Sequence, residues 1–179
     1  GRTERPQNLT TEVWEMAQAL KAAVFGASGI GKHHVKWLDR LGCDVVAFAG
    51  SSPESVEETA AMLADAFDVS ARGYTDVYDL LAREMPNTVN ICSPPELHHD
   101  HFLAAADAGC HILCEKPLTW DEQKPPDVLL DEARQMAEAG PEGVVRAVNT
   151  QYVAAREPYF DFCEELGEDP GTPESFFMQ

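Results

Sequence analysis

Apolar residues fall along this chain in two alternating rhythms. Short, nearly unbroken apolar runs, clearest at Ala22–Phe25 and Val45–Ala49, alternate with longer stretches in which apolar positions recur every three or four residues. The short runs predict strands at Lys21–Phe25, Val45–Ala49, Val69–Tyr74, Thr88–Cys92, Ile112–Glu115 and Val144–Val148. The longer ones predict helices at Ile30–Leu41, Pro53–Phe67, Val77–Arg83, Glu96–Ala108 and Val128–Ala139. Pro53 suits a first helical turn, where no N–H is needed, and Ser52 before it can cap that turn. Strands and helices that alternate over short links imply parallel strands joined by right-handed crossovers, hence an α/β fold with a doubly wound parallel sheet. Strands apolar on both faces agree with a sheet covered on both sides.

The pattern breaks at both ends. Residues 1–19 are polar apart from Val13, Trp14 and Met16 and read as an N-terminal extension. After Val148 the sequence predicts a helix over Tyr152–Leu166, a loop rich in proline, glycine and acid over Glu168–Glu174, and the opening of a strand at Ser175–Met178. Residues 20–150 therefore read as one α/β domain, and residues 151–179 as the incomplete beginning of a second.

Composition narrows the partners. The 179 residues suffice for one complete α/β core and little more. Five cysteines, an odd number set in apolar strands, point to reduced thiols and a cytoplasmic location. No leader and no run of membrane-spanning length stands out. With 31 acidic against 13 basic residues the formal net charge is −18, which argues against nucleic acid and anionic membrane as partners and for a solvated acidic surface.

Two motifs carry candidate chemistry. Gly26-Ala27-Ser28-Gly29-Ile30-Gly31 follows a strand and opens a helix, the arrangement that seats a dinucleotide pyrophosphate. Gly26 makes the tight turn and Gly31 lets the helix close on the strand, while Ser28 stands where the middle glycine is usual. The second strand ends in Gly50-Ser51-Ser52 rather than in the acid that holds ribose hydroxyls. Room for a 2′-phosphate follows, so the motif leans to NADP over NAD, with Lys32 or Arg72 as a candidate balancing charge. In the other motif, Lys116 directly follows a buried strand and precedes Pro117, at the carboxyl edge where ligands of open sheets bind. A lysine there can hydrogen-bond the reacting oxygen of a carbonyl or alcohol. Glu115 is expected to pair with backbone or a cation.

Two further groupings are decoys. His98, His99, His101, Cys110, His111 and Cys114 crowd one span, but Cys110 and Cys114 along one strand are about 13 Å apart. One zinc cannot bind both thiolates, and no metal is expected. Tyr152 and Arg156 imitate the tyrosine–lysine pair of short-chain dehydrogenases, with arginine at the lysine position and a different glycine spacing. They read as helix surface.

Taken together, GASGIGKHH, AGSSPES, YTDVYDLL and NICSPPELHHDHFLAAADAGCHILCEKPL, in that order, resemble the Gfo/Idh/MocA oxidoreductases over about Lys21–Tyr152. The resemblance implies an N-terminal Rossmann domain followed by a C-terminal α/β domain, and NAD(P)-dependent oxidation or reduction of CH–OH groups on a sugar, inositol or related small molecule. It implies a pyrophosphate site at Gly26, Ser28, Gly29, Ile30 and Gly31, and an adenosine ribose site at Ser51 and Ser52. Ser93, Pro94 and His98 would flank the cofactor, with Glu115, Lys116 and Pro117 at the nicotinamide and Lys116 catalytic. His34 matches a recurrent helix position and reads as packing, and Gln151 stands near where many members carry an arginine. The family's substrate pocket, its second catalytic pair and its usual oligomer contacts belong to the C-terminal domain. The fragment alone is therefore expected to bind cofactor without turnover, and a homo-oligomer is expected only of a full-length protein. The alternative reading is a nucleotide-sensing or interaction module that keeps the fold without the chemistry.

Overall fold

The strand β1 (Lys21–Phe25) exposes only its first residue. In the computed structural model, which describes residues 10, 11, 20–150 and 156–167, this strand sits inside a six-stranded sheet. Its companions are β2 (Asp44–Ala49), β3 (Arg72–Tyr74), β4 (Thr88–Ile91), β5 (His111–Glu115) and β6 (Arg146–Asn149). The order is β3-β2-β1-β4-β5-β6, and every pairing is parallel. Five helices make the crossovers: α1 (Gly31–Arg40), α2 (Pro53–Phe67), α3 (Val77–Glu84), α4 (His98–Asp107) and α5 (Pro126–Glu138). The fold is Rossmann-like, as the alternation implied. Strand order reverses between β1 and β4, so the loops that follow them diverge and leave a crevice at the carboxyl edge.

The core forms on both faces of the sheet. Ala23, Phe25 and Ile91 join Leu80 of α3, Phe102 of α4 and Met136 of α5 on one face. Val24, Val45 and Phe48 join Val35 of α1 and Leu63 of α2 on the other. Alternate residues of β1 therefore feed opposite layers, as the pleat requires. The β1–β2 register slips between Ala22, paired with Val45, and Ala23, paired with Ala47. Val46 is thus an extra residue, which lets Val45 and Phe48 share a face despite their odd spacing.

Helix ends explain where boundaries differ from the hydrophobic pattern. Ser52 caps α2, its Oγ accepting the Ser55 N–H at 3.2 Å, and Asp76 caps α3 by accepting from Tyr78 and Asp79. α2 ends in a left-handed residue, Asp68 at φ 58°. That turn delays the strand expected from Val69 until Arg72, and Val69 packs into the core instead. The helix expected from Glu96 is preceded by a 3-10 turn over Pro95–Leu97. The one expected from Val128 starts at Pro126, which needs no N–H partner there.

The chain divides into two compact units, Gly1–Asn149 and Thr150–Gln179. In the second, α6 (Arg156–Leu166) buries Cys163 and sets Tyr159 edge-on to Phe160, with ring centres 5.9 Å apart. Most of the N-terminal extension, Gln151, Tyr152 and the strand expected at Ser175–Met178 lie outside the described residues. Among the described residues no helix is long and apolar enough to cross a membrane.

Phe48 is fully buried between β2 and the α1–α2 layer. Phe48→Ala is expected to lower the unfolding free energy by about 3–5 kcal/mol, since the cavity refills only in part. Chemical denaturation followed by circular dichroism measures it, and a loss below about 1 kcal/mol contradicts this packing.

Candidate functional site

The chain leaves β1 through Gly26 at φ +85°, a conformation that favours glycine. A Cβ there would lie 2.6 Å from the Cys92 carbonyl oxygen and 2.7 Å from the Ser93 nitrogen. A Cβ on Gly31 would lie 2.1 Å from the Gly26 oxygen, so α1 sits directly against the turn. Gly29 differs, because nothing comes within 4 Å of its missing Cβ. Its open side belongs to the wall of the crevice.

That crevice encloses about 600 Å³. Gly26, Ser28 and Gly29 form one wall, Ser93, Pro94, Leu97 and His101 a second, and Gly50, Ser51, Ser55 and Thr59 the far end. No Asp, Glu, Lys or Arg lines it among the described residues. Ile30, the residue before α1, makes no side-chain capping bond, whereas Ser52 and Asp76 close α2 and α3. In the first turn of α1 the Lys32 and His33 N–H groups instead donate to the carbonyls of Gly29 and Ile30, at 3.4 and 2.9 Å. A narrow glycine turn, an open Gly29 and the positive end of the α1 dipole fit a dinucleotide diphosphate.

Lys116 stands exposed at the end of β5, and among the described residues its ammonium makes no salt bridge. The peptide bond to Pro117 is cis. Beneath it, the buried Glu115 carboxylate is closely held. Its Oε1 accepts from His34 Nε2 at 2.9 Å and from Asn149 Nδ2 at 2.6 Å. Its Oε2 takes the Lys116 backbone N–H at 3.3 Å. Asn90 in turn donates from Nδ2 to His34 Nδ1 at 2.9 Å, which sets the tautomer with hydrogen on Nε2. On the other side of the turn, His98 is buried with Nδ1 2.9 Å from the Pro117 carbonyl oxygen and Nε2 2.8 Å from that of Ser93.

The environment sets the acid–base character of the site. Burial pushes the Glu115 carboxyl up, but the hydrogen bonds from Asn149 and His34 outweigh it and leave the group below its ordinary value. His101, bonded through Nδ1 to Ser93 Oγ at 2.9 Å, is held below the usual imidazole range by burial and then by nearby His98. Burial, with Glu115 adding to it, drives the Cys92 thiol far up and the Cys114 thiol up to about 12. Both stay protonated at neutral pH and are poor nucleophiles.

The structure brings Gly26, Ser28, Gly29, Ser51, Ser93 and Pro94 to one crevice. Ile30 is half exposed and does not line the crevice, and Gly31 is buried against the turn. Ser52 is turned to the start of α2 as a cap. His98 lies between the carbonyl oxygens of Pro117 and Ser93, of which a single ring N–H serves one, and Glu115 is buried beneath the lysine rather than on the crevice wall. Arg72, considered for a 2′-phosphate, pairs with Glu84 at 2.9 Å. Among the described residues no three His, Cys, Asp or Glu side chains are grouped to hold a metal. Asn90 and Asn149 escaped the sequence reading, which named His101 only within the metal decoy. Asn90 had a signal, a lone amide inside the apolar run Val89–Ile91, which a buried strand admits only with a partner.

Comparison with known proteins agrees with this geometry. Residues 20–142 match an oxidoreductase family with an NAD-binding Rossmann fold. Inositol 2-dehydrogenase of Streptomyces avermitilis is 32% identical over 143 residues, which cover 79% of this chain and 40% of that protein. D-glucoside 3-dehydrogenase of Escherichia coli is 30% identical over 121 residues, 66% of this chain and 31% of its own. The chain thus spans well under half the length of these relatives. In fold it resembles the WlbA dehydrogenase of Bordetella pertussis, solved with NADH and UDP-GlcNAcA, at a TM-score of 0.65 and 22% identity over 83% of this chain and 43% of that one.

A carboxyl whose pKa is lowered by folding contributes stability that is present above its unfolded value and lost as pH falls through the folded value. Thermal unfolding from about pH 6 down to about pH 3 should therefore show a falling midpoint, of which Glu115→Gln removes a part. At neutral pH the same variant should cost about 1–3 kcal/mol, because it weakens charge-assisted bonds. A variant whose acid limb matches the parent's would show that Glu115 does not titrate below its unfolded value.

Proposed function

The chain belongs to the Gfo/Idh/MocA oxidoreductase family, and we propose that it is the cofactor-binding part of a nicotinamide-dependent dehydrogenase for a cyclic polyol, a sugar or a derivative of one. The observation that carries the proposal is the pairing of a close glycine turn at β1 with a lysine at the end of β5 that makes no salt bridge among the described residues, on the same sheet edge. Names of the relatives, which are inositol and glucoside dehydrogenases, supply the substrate class. Substrate choice then belongs to a further domain, which residues 151–179 begin.

The chemistry supplied by the bound nicotinamide is hydride transfer. The chain's residues do the rest. Ser28, Gly29 and the start of α1 hold the diphosphate with N–H groups and a hydroxyl. Ser51 and its neighbours receive the adenosine ribose, and Ser93 and Pro94 flank the chain of the cofactor. Lys116 Nζ hydrogen-bonds the substrate oxygen and stabilises the charge that grows there as the C–H bond is made or broken. With no carboxylate at the ribose end, a 2′-phosphate escapes a repulsion of about 2–4 kcal/mol at an effective dielectric near 20. NADP(H) therefore binds at least as well as NAD(H). The ion pair of Arg72 with Glu84 leaves this tolerance to the missing acid rather than to a dedicated cation.

Gly29→Val separates fold from binding, because a Cβ at this position meets no protein atom within 4 Å, while the branched side chain enters the space for a phosphate. Calorimetric titration should show the variant folded and its NADH and NADPH affinities down by about a hundredfold or more. Ser51→Asp should weaken NADPH selectively. Unchanged binding by Gly29→Val would remove the diphosphate assignment, and parent binding of NADH tenfold tighter than NADPH would remove the 2′-phosphate argument.

Lys116→Ala, in a protein that carries the substrate domain, should lower kcat by about a hundredfold or more with little change in cofactor affinity, since the lost bond forms mainly in the transition state. Arginine should not rescue it, because a planar fork replaces a compact ammonium poorly. Steady-state assays over inositols and hexoses decide this, and a normal kcat in Lys116→Ala places the chemistry elsewhere.

A further inference from the structure

We propose that His34 and Asn149 are positioning residues for Lys116, acting through the Glu115 carboxylate, which they fix and which holds the main chain from which the lysine projects. This rests on the reading of Lys116 given above.

Three elements distant in sequence converge on one carboxylate. His34 comes from the first turn of α1, the helix whose start meets the diphosphate. Asn149 ends β6, and Glu115 ends β5 one residue before the lysine. Oε1 takes both side-chain donors, at 2.9 and 2.6 Å. Oε2 is thereby turned to the Lys116 N–H. A carboxylate rotates freely about its last bond when solvated. Here two donors on Oε1, with the Lys116 N–H on Oε2, fix its plane, and with it the plane of the peptide that leads into Lys116.

The donor pattern has one direction. Asn90 Nδ2 can only donate, so His34 Nδ1 accepts, and the ring hydrogen lies on Nε2, aimed at Glu115. Asn90 is buried on β4, the strand between β1 and β5. The relay Asn90–His34–Glu115–Lys116 therefore crosses from the anion-binding helix to the reactive lysine without leaving the carboxyl edge of the sheet. A cluster that served stability alone could sit anywhere in the core. This one ends on the backbone of the one residue whose aim decides whether a substrate oxygen is met. His98, bonded to the Pro117 carbonyl oxygen, holds the far side of the same turn, so the two bracing groups leave the lysine's peptide little freedom.

The test uses the 179-residue chain labelled with 13C and 15N. His34→Phe keeps a ring and removes both hydrogen bonds, whereas His34→Gln restores a donor within reach of Glu115. In His34→Phe the Lys116 amide should exchange with solvent about tenfold faster while amides of β1 and β4 keep their protection. In the NADH-loaded chain the magnetisation-transfer contact between nicotinamide protons and the Lys116 ε-methylene should disappear, with NADH affinity changed less than about threefold. His34→Gln should restore both signals, which a merely structural role does not require. Asn149→Leu should reproduce both losses and serves if His34→Phe does not fold. Unchanged Lys116 exchange and an intact nicotinamide contact in these variants overturn the proposal. A parent chain that binds NADH without any Lys116 contact overturns the reading of the lysine, and this one with it. Amide exchange alone still reports separately whether the network fixes the peptide.

Discussion

The closeness of α1 to the end of β1 is the contact on which the crevice depends. With only hydrogen at Gly31, the helix comes so near the Gly26 carbonyl that any side chain there would overlap the backbone. Several features follow from that distance. The start of the helix reaches the switch point between β1 and β4, where the positive end of its dipole lies. Its first turn also brings His34 across β4 to Glu115. A helix standing one methyl group farther out would keep the same hydrophobic layer and lose both properties.

The polar groups of the carboxyl edge form a connected frame rather than a scatter of contacts. Ser93 gives its carbonyl to His98 and its hydroxyl to His101, while His98 reaches on to Pro117. Glu115 gathers His34, Asn149 and the Lys116 amide. Among the described residues no buried side-chain nitrogen or oxygen lacks a partner, which is what a polar layer at this depth requires. The wall beside the crevice and the turn that carries the lysine are thereby parts of one rigid assembly.

Much of this was legible in the linear pattern. Strand and helix rhythm, with Pro53 and Ser52 as punctuation, defined the sheet, because parallel strands covered on both faces have few other solutions. The glycine turn was readable for the same reason, since its spacing encodes two close approaches. Boundaries slipped where a local turn overrode periodicity, as at Asp68, whose left-handed backbone shortened β3. At the site, residue type left more than one role open to the same side chain. Ser52 was free to read as a ribose ligand or a cap, and His98 as a cofactor neighbour; geometry adds the capping bond of Ser52 and the carbonyl contacts of His98. Asn149 carried no local signal, because its partner lies on another strand and long-range pairing leaves no trace in spacing.

The uncharged lining of the crevice has a kinetic side. A dinucleotide is an anion, and the body it approaches carries a formal net charge of −18. Backbone dipoles at the start of α1 act over only the last few ångströms, so at longer range the ligand climbs a repulsive field that no lysine or arginine in the wall relieves. Mobile ions shorten that field to about 8–10 Å at moderate salt. For the proposed function, capture of the cofactor would therefore quicken as ionic strength rises, the reverse of electrostatically steered enzymes. A diphosphate seated at the turn, as proposed, would be held at short range, where salt screens little, so its residence time would be set by the turn rather than by the medium.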